Sequence, residues 1–212
     1  MTLIGLTAFA KSGKTTVANL LKDSGFIEVA LAGKLKDVCS QVFRIPREDF
    51  DDQSKKEVPF KNPPFISTVD VAQILSAYRL PVFSTMGKHE GMFLNSPRHI
   101  AQYVGTEILR AIDVDIHIKS AIADLDPHGK YVFSDVRFPN EAAFIKSAGG
   151  TLIGIKRDSV FPTDLASVHE SESYITDLLS KSDRLLLNNS SMAEFEELVI
   201  DMIKDFDNRT DQ

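Results

Sequence analysis

The chain has 212 residues, 43% of them apolar and 25% charged, which suffices for one sizeable domain or one carrying a small lid. With ordinary proline and glycine usage, this excludes a disordered, collagen-like or low-complexity protein. Lys plus Arg total 24 against 30 Asp plus Glu, so the net charge of −6 argues against general nucleic-acid binding. A local basic pocket for small anions is still compatible with that balance. The single cysteine, Cys39, can form no internal disulfide and suits a reducing compartment, and it reads as a small core residue. No apolar run reaches the length of a membrane helix, and Met1-Thr-Leu-Ile-Gly5 is no secretion signal. The expectation is a cytoplasmic protein with no membrane or nucleic-acid partner.

In chain order, Leu3–Thr7 reads as a buried strand, followed by a Gly/Ser turn and a helix from Thr15 to Lys22 that ends before Gly25. Phe26–Leu31 is a second strand and Lys34–Phe43 a second helix. Residues 44–66 mix Asp, Lys, Pro and Phe without a period and read as a long excursion over a site. Ser67 to Asp70 is a helix-entry signal leading to about Tyr78, and 81–96 is again irregular. Pro97 opens a strong helix to about Ala111, and another covers Val114–Leu125. Tyr131–Ser134 is a strand, Asn140–Ala148 a helix closed by two glycines, and Thr151–Lys156 a strand. A short helix near Tyr174–Leu179 precedes a last strand, Arg184–Leu187. Ser191 to Glu194 is a capping box, and behind it Met192, Phe195, Leu198, Val199, Met202, Ile203 and Phe206 form one apolar stripe. Alternating strands and helices imply an α/β fold with a parallel sheet covered on both faces. Its ligands belong beyond the carboxyl ends of the strands that begin at Leu3 and Tyr131.

Ala8 to Thr15, AFAKSGKT, matches the phosphate-binding loop G-x-x-x-x-G-K-[ST] except for Ala8 at the first glycine. Such a loop points backbone N–H groups at phosphate oxygens, and the following helix adds its dipole. Lys14 would reach the β/γ phosphates and the Thr15 hydroxyl would hold Mg²⁺. The bland alternative is a chance Gly-Lys-Thr at a helix start. Asp135 closes the strand at Tyr131 and can hold metal waters or orient an acceptor, or it can be a turn carboxylate. Val136 follows it, not the Glu that activates water in many P-loop ATPases, and the GTPase N-K-x-D is absent. A kinase needs several cations around two phosphate groups, and Lys36, Arg98, Arg110, Arg137 and Arg157 are the candidates. Taken singly each reads as a solvated surface charge, except Arg137 just past a strand end.

Lys11-Ser-Gly-Lys-Thr-Thr-Val-Ala18, Leu31 to Lys36, Pro97-Arg98 with Gln102 and Gly105-Thr-Glu107, Ser134 to Ala142 and His169 to Glu172 occur in this order. Together they resemble the bacteriophage-type deoxynucleoside monophosphate kinases of the adenylate-kinase-like P-loop branch. The likeness runs from residue 1 to about 200 and is poor over 44–96 beyond Lys56-Glu57. It implies a single P-loop kinase domain over 1–212, with a substrate-binding excursion at 44–96 and a lid at 157–168. It implies ATP and Mg²⁺ on Ala10, Lys11, Ser12, Gly13, Lys14, Thr15 and Thr16, with Arg157 in the lid over ATP. A deoxynucleoside monophosphate would meet Leu35, Lys36, Arg98, Gln102, Gly105, Thr106, Arg137 and Glu141. His117, also on the substrate side by this likeness, stands where family members often carry Trp, so base stacking stays open with it. Lys14, Asp135 and Arg137 would be catalytic, and Thr15 and Asp135 would hold the metal. His169 reads as a lid-hinge or capping residue in preference to a general base. The expected reaction moves the γ-phosphoryl group of ATP onto a deoxynucleoside 5′-monophosphate, in the host cytoplasm if the enzyme is phage-encoded. The rival readings are a kinase for another small acceptor, of dephospho-coenzyme A type, and a non-catalytic nucleotide switch. Base preference and the choice between monomer and homodimer stay open.

Overall fold

The computed structural model describes residues 1–82, 87–123, 125–160 and 173–210. The chain divides into two compact units, one of Met1–Leu31 with Asp124–Gln212, the other of Ala32–Ala123. The expected excursion at 44–96 lies inside the second unit, which also takes in the chain before and after it.

The first unit is built on a five-stranded sheet: β1 (Thr2–Ala8), β2 (Ile27–Val29), β3 (Lys130–Phe133), β4 (Thr151–Lys156) and β5 (Arg184–Leu187). Its spatial order is β2-β3-β1-β4-β5, and every pairing is parallel. Central strand β1 is apolar nearly throughout because helices cover both faces. On one face Ile4, Leu6 and Ala8 pack with Val17, Ala18 and Leu21 of α1 (Lys14–Asp23). Phe195, Val199, Met202 and Ile203 of the C-terminal helix, Met192–Thr210, complete that core. On the other face α6 (Pro139–Ser147) comes so close that a Cβ on Gly5 would lie 2.5 Å from Ile145 Cδ1. Likewise a Cβ on Gly154 of β4 would lie 3.0 Å from Leu179 Cδ2 of α7 (Ile175–Ser180). A side chain at either glycine would force the facing helix side chains to shift. The C-terminal helix, α8, departs from its expected stripe, since Met192 and Leu198 are exposed. The stripe read from spacing is wider than the face the sheet covers.

The second unit is helical: α2 (Gly33–Phe43), a 3₁₀ turn (Arg47–Phe50), α3 (Thr68–Ala77), α4 (Pro97–Gln102) and α5 (Ile116–Ile122). Ser67 caps α3 by accepting from the Asp70 N–H, and Asp70 returns a bond to the Ser67 N–H at 2.8 Å. Its own core joins Leu35, Val38 and Cys39 to Val71, Ile74, Leu75, Ile100, Val104 and Ile108. The helix expected from Pro97 to Ala111 is α-helical for six residues and then a π-helix over Tyr103–Arg110. Apolar spacing cannot separate the two, because both bury Val104, Ile108 and Leu109. No helix among the described residues is long and apolar enough to cross a membrane.

Candidate active site

The loop between β1 and α1 turns through two left-handed residues, Lys11 at φ 66° and Gly13 at φ 103°. Ala8 lies in β1 at negative φ with its methyl in the core, which explains how it replaces the motif's first glycine. Ser12 is buried, and its N–H donates to the Phe9 carbonyl at 3.3 Å. Gly13 is the N-cap of α1, and no side chain caps that helix. Lys14 and Thr15 open the helix, with Thr15 and Lys11 exposed and Thr16 half-buried. Such a loop meets an anion with N–H groups and a positive helix end.

The chain leaving β3 is fixed on both sides. Ser134 N–H donates to Val29 of β2 at 3.3 Å, and Val136 N–H to Leu6 of β1 at 3.2 Å. Asp135 Oδ1 accepts from the Leu31 N–H at 2.7 Å, so this carboxylate also ties down the chain after β2. Glu141, only 4% exposed, accepts from the N–H groups of Arg137 at 2.8 Å and Phe138 at 3.0 Å through one oxygen. Phe138 has no acceptor side chain, so this is one half of a capping box, and it fastens the backbone that carries Arg137. Glu141 is thus buried at the helix start, with Oε2 engaged by the backbone. On β2, Glu28 pairs with Lys22 at 3.0 Å. Burial alone would raise its carboxyl, but the Ser134 hydroxyl, Lys22 and Lys14 outweigh burial and hold it below the usual carboxylate range.

In the second unit the expected acceptor residues have partners of their own. Lys36 Nζ lies 2.6 Å from Asp51, which also pairs with Arg47, and Arg47 reaches Asp37 as well. Arg98 bonds Glu57 at 3.0 Å and donates its N–H to the Lys56 carbonyl at 2.8 Å. Leu35 is in the core, where a Cβ on Gly105 would come within 2.8 Å of its Cδ2. His117, 6% exposed, sets Nε2 at 3.3 Å from the Gly105 carbonyl and its ring edge-to-face with Tyr78. That packing leaves the imidazole little surface for stacking on a base. Gln102 and Thr106 are half-buried.

No family model matches the chain. It is 33% identical, over 96% of both chains, to a protein of Acanthamoeba polyphaga mimivirus provisionally named a deoxynucleotide monophosphate kinase. The chain belongs to the deoxynucleotide monophosphate kinase family. Solved structures that resemble it include a dephospho-CoA kinase from Campylobacter jejuni, 14% identical, TM-score 0.49, covering 99% of this chain and 100% of that one. Another is TT1252 from Thermus thermophilus, 12% identical, TM-score 0.46, covering 96% and 97%.

Within this deoxynucleotide monophosphate kinase-family chain, the first unit brings the loop Ala10–Thr16, Asp135 and Arg137 to the carboxyl ends of adjacent strands β1 and β3. Arg157 is exposed just past β4. The expected lid beyond residue 160, His169 and its neighbours lie outside the described residues. Asn188 is a site residue that no sequence pattern marks. It follows β5, is 8% exposed, and donates its side-chain N–H to the Ser12 carbonyl at 2.9 Å. In sequence it is one of two asparagines before a helix cap, which reads as ordinary turn chemistry.

Proposed function

We propose that the protein transfers the γ-phosphoryl group of ATP to a deoxynucleoside 5′-monophosphate, releasing ADP and a deoxynucleoside diphosphate. The observation that carries this reading is the Lys11–Thr16 turn, with left-handed Lys11 and Gly13, at the end of the central strand. An acceptor phosphate oxygen attacks the γ-phosphorus while the bond to the β–γ bridging oxygen breaks. A phosphate dianion is already a competent nucleophile near neutral pH, so no general base is required.

Lys14 supplies a mobile cation beside the β/γ phosphates and Arg137 a planar fork able to bridge two phosphate groups. Asp135, fixed by Leu31, orients the acceptor side. The Thr15 hydroxyl and the Asp135 carboxylate are hard oxygen donors that suit Mg²⁺, which keeps mostly water and phosphate ligands. When bound, Mg²⁺ would neutralise charge on the transferring phosphates. Lys36 and Arg98 are the acceptor-side cations. An incoming phosphate would share or replace their partners, Asp51 and Glu57.

The test is ADP release with ATP·Mg²⁺ against the four deoxynucleoside monophosphates, their ribose counterparts and dephospho-coenzyme A. Release should depend on a deoxynucleoside monophosphate, and Lys14→Ala should cut it roughly a hundredfold, as removing a preorganised charge does. Equal release without acceptor would identify an ATPase and sink the assignment.

A further inference from the structure

The Asn188 side chain bears directly on the phosphate-binding loop. Its amide donates to the Ser12 carbonyl at 2.9 Å, and both residues are buried. It lies so close to Gly13 that a Cβ there would meet Asn188 Nδ2 at 2.5 Å. The amide is held from behind. Asn188 N–H donates to the Lys156 carbonyl at 2.8 Å, and Asn189 next to it clamps Asp158 through both ends of its own amide, at 2.9 and 2.7 Å.

The peptide joining Ser12 to Gly13 is planar and trans, so its carbonyl and its N–H point in opposite directions. Holding the Ser12 carbonyl against Asn188 therefore aims the Gly13 N–H away from Asn188. That N–H has no acceptor among the described residues. We propose that Asn188 is a positioning residue for the nucleotide phosphates, turning the Ser12–Gly13 peptide so that the Gly13 N–H faces the bound anion. Asn188 touches no substrate in this role. It acts through the loop backbone, and the inference rests on the P-loop reading given above.

The test compares wild type with N188L, which removes the donor, and N188D, which keeps the shape and replaces the donor by a carboxylate. ATP·Mg²⁺ is titrated calorimetrically well below each protein's melting temperature. N188L should bind ATP about tenfold more weakly, as loss of a buried hydrogen bond that fixes a peptide would do. The acceptor KM should stay unchanged. N188D should be weak at pH 8, and its affinity relative to wild type should recover toward pH 5, where a protonated carboxyl can donate again. If N188L does not fold, the isosteric N188D carries the test.

Folded N188L with wild-type ATP affinity and only a lower melting temperature would overturn the proposal, leaving Asn188 a packing residue. So would an N188D-to-wild-type affinity ratio that does not change with pH. Wild-type protein that binds no ATP at all would instead overturn the P-loop reading beneath it, so the two failures are distinguishable.

Discussion

Arg137 and Glu141 divide one task between a side chain and a backbone. Glu141 spends its carboxylate on the Arg137 and Phe138 N–H groups, and the Arg137 fork extends from a main chain that cannot drift. Arg137→Lys keeps the charge but loses the planar fork, so its turnover should fall nearly as far as that of Arg137→Ala. A lysine variant with near-normal kcat would reduce Arg137 to a general electrostatic role. Glu141→Ala should cost about 1–2 kcal/mol of stability, since it strips a helix start of its cap. Its kcat should fall while ATP affinity changes little, because the phosphate loop is held by other residues. Urea unfolding and steady-state kinetics on the same preparations separate the two effects. A Glu141→Ala protein with full kcat would show that the backbone at Arg137 needs no such anchor.

At the scale of elements, the stretch after α2 is held by charge as well as by its buried Phe50. Burial would raise the Asp51 carboxyl, but Lys36 and Arg47 outweigh it and hold the group below its usual value. A carboxyl with a lower pKa when folded stabilises above its unfolded value and loses that contribution as pH falls through the folded one. Asp51→Asn should therefore destabilise the protein at pH 7, and the gap from wild type should narrow as pH falls below the usual carboxylate range. Thermal melts of both proteins from pH 7 to pH 2 provide the check, and a gap that persists at pH 2 would rule out the ion pairs as its source. These partnerships explain what the sequence leaves hidden. The strands were legible because β1, β3 and β4 are short apolar runs between turn residues, and the phosphate loop because its spacing is dictated by backbone geometry. Nothing local in the sequence announces that Asp51 and Glu57 lie beside Lys36 and Arg98, the partners an incoming phosphate would have to share or replace. Asn188 reaches a loop 176 positions away in the chain, a contact no window of sequence contains. The π-helix leaves no mark in the sequence because it buries the residues an α-helix would.

For the whole molecule, the strand order has a consequence for synthesis. β3 lies between β1 and β2 in the sheet, and neither of those early strands pairs with the other. While the ribosome is still making residues 32–123, β1 and β2 have no neighbour to bond. Ala32–Ala123, by contrast, is one uninterrupted stretch with a core of its own, and it can collapse as soon as it emerges. The middle of the gene product should therefore become protease-resistant before its beginning does. Nascent chains arrested so that residue 123 has just cleared the exit tunnel should show protected 32–123 and cleavable 1–31. Chains released past β4 should protect both. Early protection of the N-terminal strands would mean that they find a temporary partner the finished fold does not contain.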